Sequence, residues 1–472
     1  MRRALIGGVL ALLALIAGTS SSHVATAAAA EVTGAASAAN AANAASAENA
    51  ASAPDVAQAP ALQPLLDAAP PGARLALDPI TYRGPAVVRR AVVLDGGGRA
   101  RIEGDGRSSV LAVVAEEGVT LRGLLISGSG ASHDRIDSGI VLQGRGHQVL
   151  DNRLDDVLFG IHLQGASNVR VAGNHVRGKP LPPGLRGDAL RLWNSHGNRI
   201  EDNRFERARD LTLINSPDNT LARNRFADGR YGLHAVFSPR LVATGNRFEH
   251  TGTGVVVLYS PGLRLTGNHV AHAGAAGGAG IVVKECDDVL VEGNEVLHNA
   301  VGMKLDTPPA GAVQRLVVRG NRFAHNTVGL FFYGEAGSGE FAGNRFEHNL
   351  TTVAVSAPGA GAGHRFRGNR WDEYQGFDRD GDGIGDLAHE VLLFADRLWM
   401  ELPMAGFFRA SPALELLDFL ERLAPFISPA RVLLDPQPSM GAGPMPVPAP
   451  TGTPAPSPLP VRTATPTAEP SR

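Results

Sequence analysis

Asn219-Thr-Leu-Ala-Arg-Asn224-Arg-Phe226 is followed by Leu241-Val-Ala-Thr-Gly-Asn246-Arg-Phe248, and then by Leu263-Arg-Leu-Thr-Gly-Asn268-His-Val270. The three segments superpose on their second asparagine position, Asn224, Asn246 and Asn268. Outward from there the same position is held by Asn152, Asn174, Asn203, Asn294, Asn321, Asn344 and Asn369. Successive differences along the full series are 22, 29, 21, 22, 22, 26, 27, 23 and 25. Such a period, with strand-like residues between the amides, is one coil of a β-solenoid. The longer intervals carry Gly/Pro-rich insertions such as Gly178 to Gly187 and Gly274 to Gly280.

Aligned on the asparagine, the chain resolves into columns. Two residues after it stand Leu154, Val176, Phe205, Phe226, Phe248, Val270, Val296, Phe323, Phe346 and Trp371. Three before it stand Val149, Val171, Ile200, Leu221, Ala243, Leu265, Val291, Val318, Phe341 and Phe366. Leu190, Leu211, Leu233, Val255 and Ile281 lie thirteen before, and Leu192, Leu213, Ala235, Val257 and Val283 eleven before. Period-2 alternation turns each set inward, and coils stacked about 4.8 Å apart bury continuous apolar columns. The amide column satisfies turn backbone. Eight before the Asn runs Ser195, Ser216, Ser238, Ser260 and Cys286, with Pro after three of the serines. Cys286 is read as a stacking filler in a turn rather than a nucleophile or metal ligand.

The expected fold is all-β: a right-handed parallel β-helix over 61–375, with a short N-terminal helical cap and a helical C-terminal segment. Gln63 to Ala69 is the predicted first cap, covering an edge that would otherwise aggregate. Ser411-Pro412 is a helix start, and Leu414, Leu417, Leu420 and Leu423 give that helix an apolar face, the predicted second cap. Outside the folded part, Arg2 and Arg3 precede an apolar run and small residues near Ala25, which reads as an export peptide over 1–30. The Ala-rich tract 31–60 and the Pro-rich tail 436–472 are read as flexible linkers. Residues 376–390 form an Asp/Gly loop, and 391–435 a capping and docking segment.

Composition narrows the partners. The chain has 472 residues with 44 Lys+Arg against 46 Asp+Glu, and 5% aromatics. That balance lacks the basic field and stacking platforms of a nucleic-acid groove. A single Cys excludes an intramolecular disulfide framework. After signal cleavage no transmembrane span is expected, so the mature protein is placed outside the cytoplasm.

Candidate chemistry lies on outward positions. Ten before the Asn run Trp193, Ile214, Val236, Leu258 and Lys284; twelve before run Arg191, Thr212, His234, Val256 and Val282. With Phe237 and Tyr259 at the turn, this is an apolar face for docking, or one covered by another segment of the chain. Arg186, Asp188, Arg209, Asp210 and Arg230 gather at its edge. They are either a sugar-cleaving site or a mutually neutralising ladder. Four after the Asn stand His250, His272, His298, His325 and His348. This is a solvated polar column at a turn, or a row of imidazoles that, with Met400 and Met404, could handle copper. Asp378, Asp380, Asp382 and Asp386, with Gly383 at the sixth position, match a Ca²⁺ loop, the alternative being an ion-free Asp/Gly turn. His389 stands where an EF-hand places a bidentate Glu.

The order Arg186-Gly-Asp188, Leu192-Trp193-Asn-Ser195, Arg209-Asp210, Arg230-Tyr231-Gly232-Leu-His234, Val257-Leu-Tyr259-Ser260 and Gly280-Ile-Val-Val-Lys284 resembles the NosD family. So does the ending, from Asn369-Arg-Trp371-Asp-Glu-Tyr374 through the Asp/Gly loop to Asp435-Pro436. The resemblance implies a periplasmic, non-enzymatic accessory protein for the copper–sulfur site of nitrous-oxide reductase. Its implied partners are a membrane ABC transporter (ATPase and permease), the reductase and a copper chaperone. Where relatives often carry Met, this chain has Val236 and Leu258. The alternative is a polysaccharide lyase, hydrolase or epimerase on the same scaffold. Against it, the outward columns hold no acid and the Asp-Pro-His signature of related epimerases is missing.

Overall fold

A computed structural model describes residues 58–275, 277–306, 315–334, 337–357, 359–393, 411–412, 416, 419–420 and 430–441. Three parallel sheets wind around one axis, two of 13 strands and one of 12. Each strand pairs with its equivalent one coil on. The first sheet runs from Ala73–Ala76 to Arg365–Arg367, the second from Thr81–Arg83 to Arg370–Trp371, and the third from Ala86–Val88 to Thr351–Val355. Register follows the amide spacing: Ile200 opposes Leu221, Phe205 opposes Phe226, and Leu190 opposes Leu211. Every residue of the four inward columns is buried. Together they form one core along the solenoid.

The amides stand in file. Asn224 Nδ2 donates to Asn246 Oδ1 at 3.0 Å and to Ile200 O at 2.8 Å, while its backbone N–H donates to Asn246 Oδ1 at 2.9 Å. The pattern repeats from Asn152 to Asn369. Each side chain thus satisfies three buried groups of neighbouring coils, which is why the position tolerates no apolar residue. The serine column works likewise, each Oγ accepting from the preceding coil's backbone. Cys286 Sγ takes the same role for Ser260 N at 3.3 Å, and burial pushes its thiol up to about 11. The thiol is structural, as its column position suggests.

Both ends are closed. Helix α1, Gln63–Ala68, is one residue shorter than expected and places Leu62 and Leu66 on the core. Gln63 Oε1 accepts from Val87 N at 2.7 Å and Gln63 Nε2 donates to Val87 O at 3.2 Å, so one side-chain amide stands in for a missing strand. The other end departs from expectation. It is capped by antiparallel strands His389–Leu393 and Ala430–Asp435, with Val432 and Leu433 buried on the core. Asp435 Oδ2 ends the amide file, accepting from Asn369 N, Asn369 Nδ2 and Trp371 Nε1 at 2.9–3.1 Å. Of the predicted capping leucines, Leu414, Leu417 and Leu423 lie outside the described residues. Leu420 is helical but 48% exposed, so it closes nothing.

Candidate functional site

The face expected to dock a partner sits on the third sheet and its following corner. Trp193, Ile214, Val236 and Leu258 are in register on adjacent strands. Trp193 is 38% exposed, while Ile214, Val236 and Leu258 are half-buried. The face is narrower than alternation alone predicts, because Thr212 and Val256 of the neighbouring column are buried. Its most exposed members lie at the corner, where Phe237 is 53% and Tyr259 37% exposed, their rings stacked 5.0 Å apart. Both have left-handed backbones, at φ 49° and 51°. Asn194 and Asn215 occupy that corner in the two preceding coils at the same φ, 49°. Asn adopts this region readily and a bulky aromatic does not, at a cost of about 1–3 kcal/mol each. Rings placed there against backbone preference and left in solvent do not serve the core.

Behind the face the charged cluster assembles as a closed network. Asp188 pairs with Arg191 at 3.2 Å and Arg209 at 2.9 Å; Asp210 pairs with Arg209 at 3.6 Å and with Arg230. Burial pushes the Asp188 carboxyl up, against the pull of Arg209. Arg186 donates to Asp228 O at 2.9 Å and, with Arg209 and Arg230, lines a groove of about 540 Å³ that ends at His250. Both acids are engaged by arginine, which is the neutralising ladder of the two readings.

One row was missed. His162, Arg191, Thr212 and His234 stand in register on four successive strands. His162 Nε2, Arg191 Nε and Thr212 Oγ1 are buried without a hydrogen-bond partner among the described residues. Burial, then Arg191, lowers His162 to about 4, and burial lowers His234. Extending the column twelve before the Asn back by one coil, from Asn203 to Asn174, finds His162. Inner amide rows at Asn198–Asn219 and Asn299–Asn326–Asn349 were also missed, although each keeps a fixed offset from the main file.

The five histidines occupy successive coils on the opposite corner. His250, His272, His298, His325 and His348 are all exposed, and neighbouring ring centroids lie 4.8, 5.2, 4.9 and 5.2 Å apart. The first three contacts are within 7° of parallel. His348 alone of the five makes an ion pair among the described residues, with Asp372 at 3.7 Å. Met400 and Met404 lie outside the described residues, as do residues 1–30, expected to be an export peptide, and nearly all of the two stretches expected to be linkers.

In the Asp/Gly loop, Asp378, Asp380 and Asp382 bring carboxylate oxygens within 4.8 Å of one another, the one such acid or histidine group of three among the described residues. Asp378 accepts from Gly381 N and Gly383 N at 2.7 and 2.9 Å, and the Gly383 amide holds its carboxyl below the usual range. Asp386 stands outside the group and fastens the loop by accepting from Arg379 N at 2.8 Å. His389 takes no part: its ring stacks on Trp371 at 4.8 Å.

Residues 173–376 match the family described as periplasmic copper-binding protein (NosD). A Pseudomonas aeruginosa protein named probable ABC transporter binding protein NosD is 28% identical over 366 residues, covering 73% of this chain and 83% of its own. One of the same name from Stutzerimonas stutzeri is 26% identical over 400 residues, covering 73% and 82%. Among solved structures, the A-module of the Azotobacter vinelandii mannuronan C-5 epimerase AlgE6 is 15% identical with a TM-score of 0.48, covering 64% of this chain and 92% of its own. No helix among the described residues is long and apolar enough to cross a membrane. The family model thus matches the central coils, and both NosD-named relatives align with this chain across most of their own length.

Proposed function

We propose that the protein is a periplasmic, non-enzymatic accessory factor that docks a membrane ABC transporter and serves copper–sulfur site assembly in nitrous-oxide reductase, with copper arriving from a chaperone. The observation that carries the docking half is the pair Phe237 and Tyr259, stacked and exposed at a corner whose backbone suits Asn. Beside them lies the apolar row Trp193, Ile214, Val236 and Leu258, with His234 one position inward. Aromatic anchors ringed by polar groups are the usual energetic centre of a protein interface. The names of both relatives support a transporter as the occupant, and the family description supports copper as the cargo. Against a sugar-cleaving role, Asp188 and Asp210 are each held by two arginines, leaving neither free as a general acid or base.

The test is capture of the detergent-solubilised transporter by the immobilised mature chain. Trp193→Asp with Leu258→Asp, both on the solvent side, should leave thermal unfolding nearly unchanged and lower capture at least tenfold. Unchanged capture removes the face from the account. Within the same reading, Asp378, Asp380 and Asp382 hold a structural Ca²⁺ beside the C-terminal cap. What supports this is the convergence of three carboxylates on a loop tied by its own amides. Calcium should raise the unfolding temperature by a few degrees and Asp380→Asn should abolish the rise; no shift with calcium contradicts it.

A further inference from the structure

The corner that carries the histidines is left-handed in every coil from Asn152 to Asn344 except that of Asn174, where Gly178 ends a strand without a positive φ. It holds Asp156, Gly178, Arg207 and Asp228, then His250, His272, His298, His325 and His348. The five histidines have φ between 53° and 59°. Gly, Asn and Asp suit that conformation at least as well as His. Backbone geometry therefore accounts for a permissive residue at the corner, but not for imidazole five times running. Core packing does not account for it either, since all five rings are exposed.

The corner is held stiffly. The backbone N–H of His250, His272, His298 and His325 each donates to a carbonyl of the next coil at 3.0–3.2 Å. Asn299, Asn326 and Asn349, each one residue beyond a histidine, form their own amide file with side-chain spacings of 3.0 Å. The backbone anchors of the imidazoles are thus set at the coil repeat before any ligand arrives. His298, His325 and His348 also line a shallow recess of about 490 Å³.

We infer that this file of five imidazoles is a copper-binding strip, in which neighbouring rings share an ion. Two metal–nitrogen bonds of about 2.0–2.1 Å span about 4 Å end to end. The rings stack 4.8–5.2 Å centroid to centroid and near parallel, so the exposed side chains turn about χ1 and χ2 to bring two in-plane nitrogens onto one ion. Imidazole suits copper, and copper(II) outranks zinc for such donors. Each ion receives two protein ligands rather than a closed cage, with solvent completing the shell, so it is held exchangeably. A rigid row of equivalent, open sites passes an ion along as readily as it keeps one. The choice of copper as the metal rests on the functional reading above; the geometry of the strip does not.

The experiment is a titration of the mature chain with copper(I) under anaerobic conditions against a chromophoric chelator, and with copper(II) alone. It is repeated on His272→Asn/His298→Asn/His325→Asn, a variant whose asparagines suit the same backbone. The variant should keep its unfolding temperature and lose about one to two copper equivalents, the number five adjacent rings can hold pairwise. In the parent chain labelled with ¹⁵N-histidine, copper(I) should shift these imidazole resonances first. Equal stoichiometry in the two chains with unshifted resonances overturns the strip. Zinc binding without copper binding overturns the metal assignment. Transporter capture by the triple variant should be intact, so a failed docking face and a failed strip are told apart.

Discussion

Two columns run along the same coils and teach different lessons. The amide file, Asn152 to Asn369, is buried, and each member satisfies groups on its neighbours. The imidazole file, four residues further along each coil, is exposed, and four of its five rings form no ion pair among the described residues. Both are regular because height along the solenoid is set by position in the repeat. Only the first is required by the fold. Regularity is evidence of architecture, and it becomes evidence of function where burial and hydrogen bonding no longer explain it.

The contrast breaks most sharply at its buried side. Asn246→Leu should cost about 3–5 kcal/mol, since it strands the Asn224 N–H and the Leu221 carbonyl among buried groups. The check is the midpoint of urea unfolding, and a loss below about 1 kcal/mol would mean that the file is ornamental. A smaller effect sharpens the comparison through a buried imidazole. His162 has a folded pKa of about 4 against an ordinary 6.5. The unfolded chain therefore takes up its proton first. Stability should be full above 6.5, decline as pH falls through the interval, and level off near 4 as far as this group is concerned. His162→Gln should flatten that part of the stability profile. The smallest effect belongs to the exposed file, where the triple His→Asn variant should change stability by less than about 0.5 kcal/mol.

The same division explains what the sequence made legible. All four inward columns, the serine column with Cys286, and the spacing of the histidines could be read from the distance to an asparagine, because the parallel register converts position into height. The three coils before Asn152 have no such marker: Gly97, Gly98 and Gly123 serve as left-handed turn residues there, and Leu124 N reaches forward to Asn152. Within the 391–435 segment expected to cap that end, the capping strand itself was not legible for a related reason. Asp435 ends the amide file from 66 residues beyond Asn369, outside the repeat, and nothing local marks it. On the docking face, alternation gave direction but not depth, so Thr212 and Val256 looked outward and proved buried. The left-handed backbone of Phe237 and Tyr259, on which the proposed docking role rests, becomes visible only against Asn194 and Asn215 in three dimensions.

Anomalous diffraction at the copper edge, from crystals of the mature chain grown with copper, addresses the central distinction directly. The account predicts density on the exposed corner, between rings such as His250 and His272 or His298 and His325, spaced by the coil repeat. Copper found solely elsewhere on the chain, with that corner bare, would make the imidazole file a second piece of scaffold.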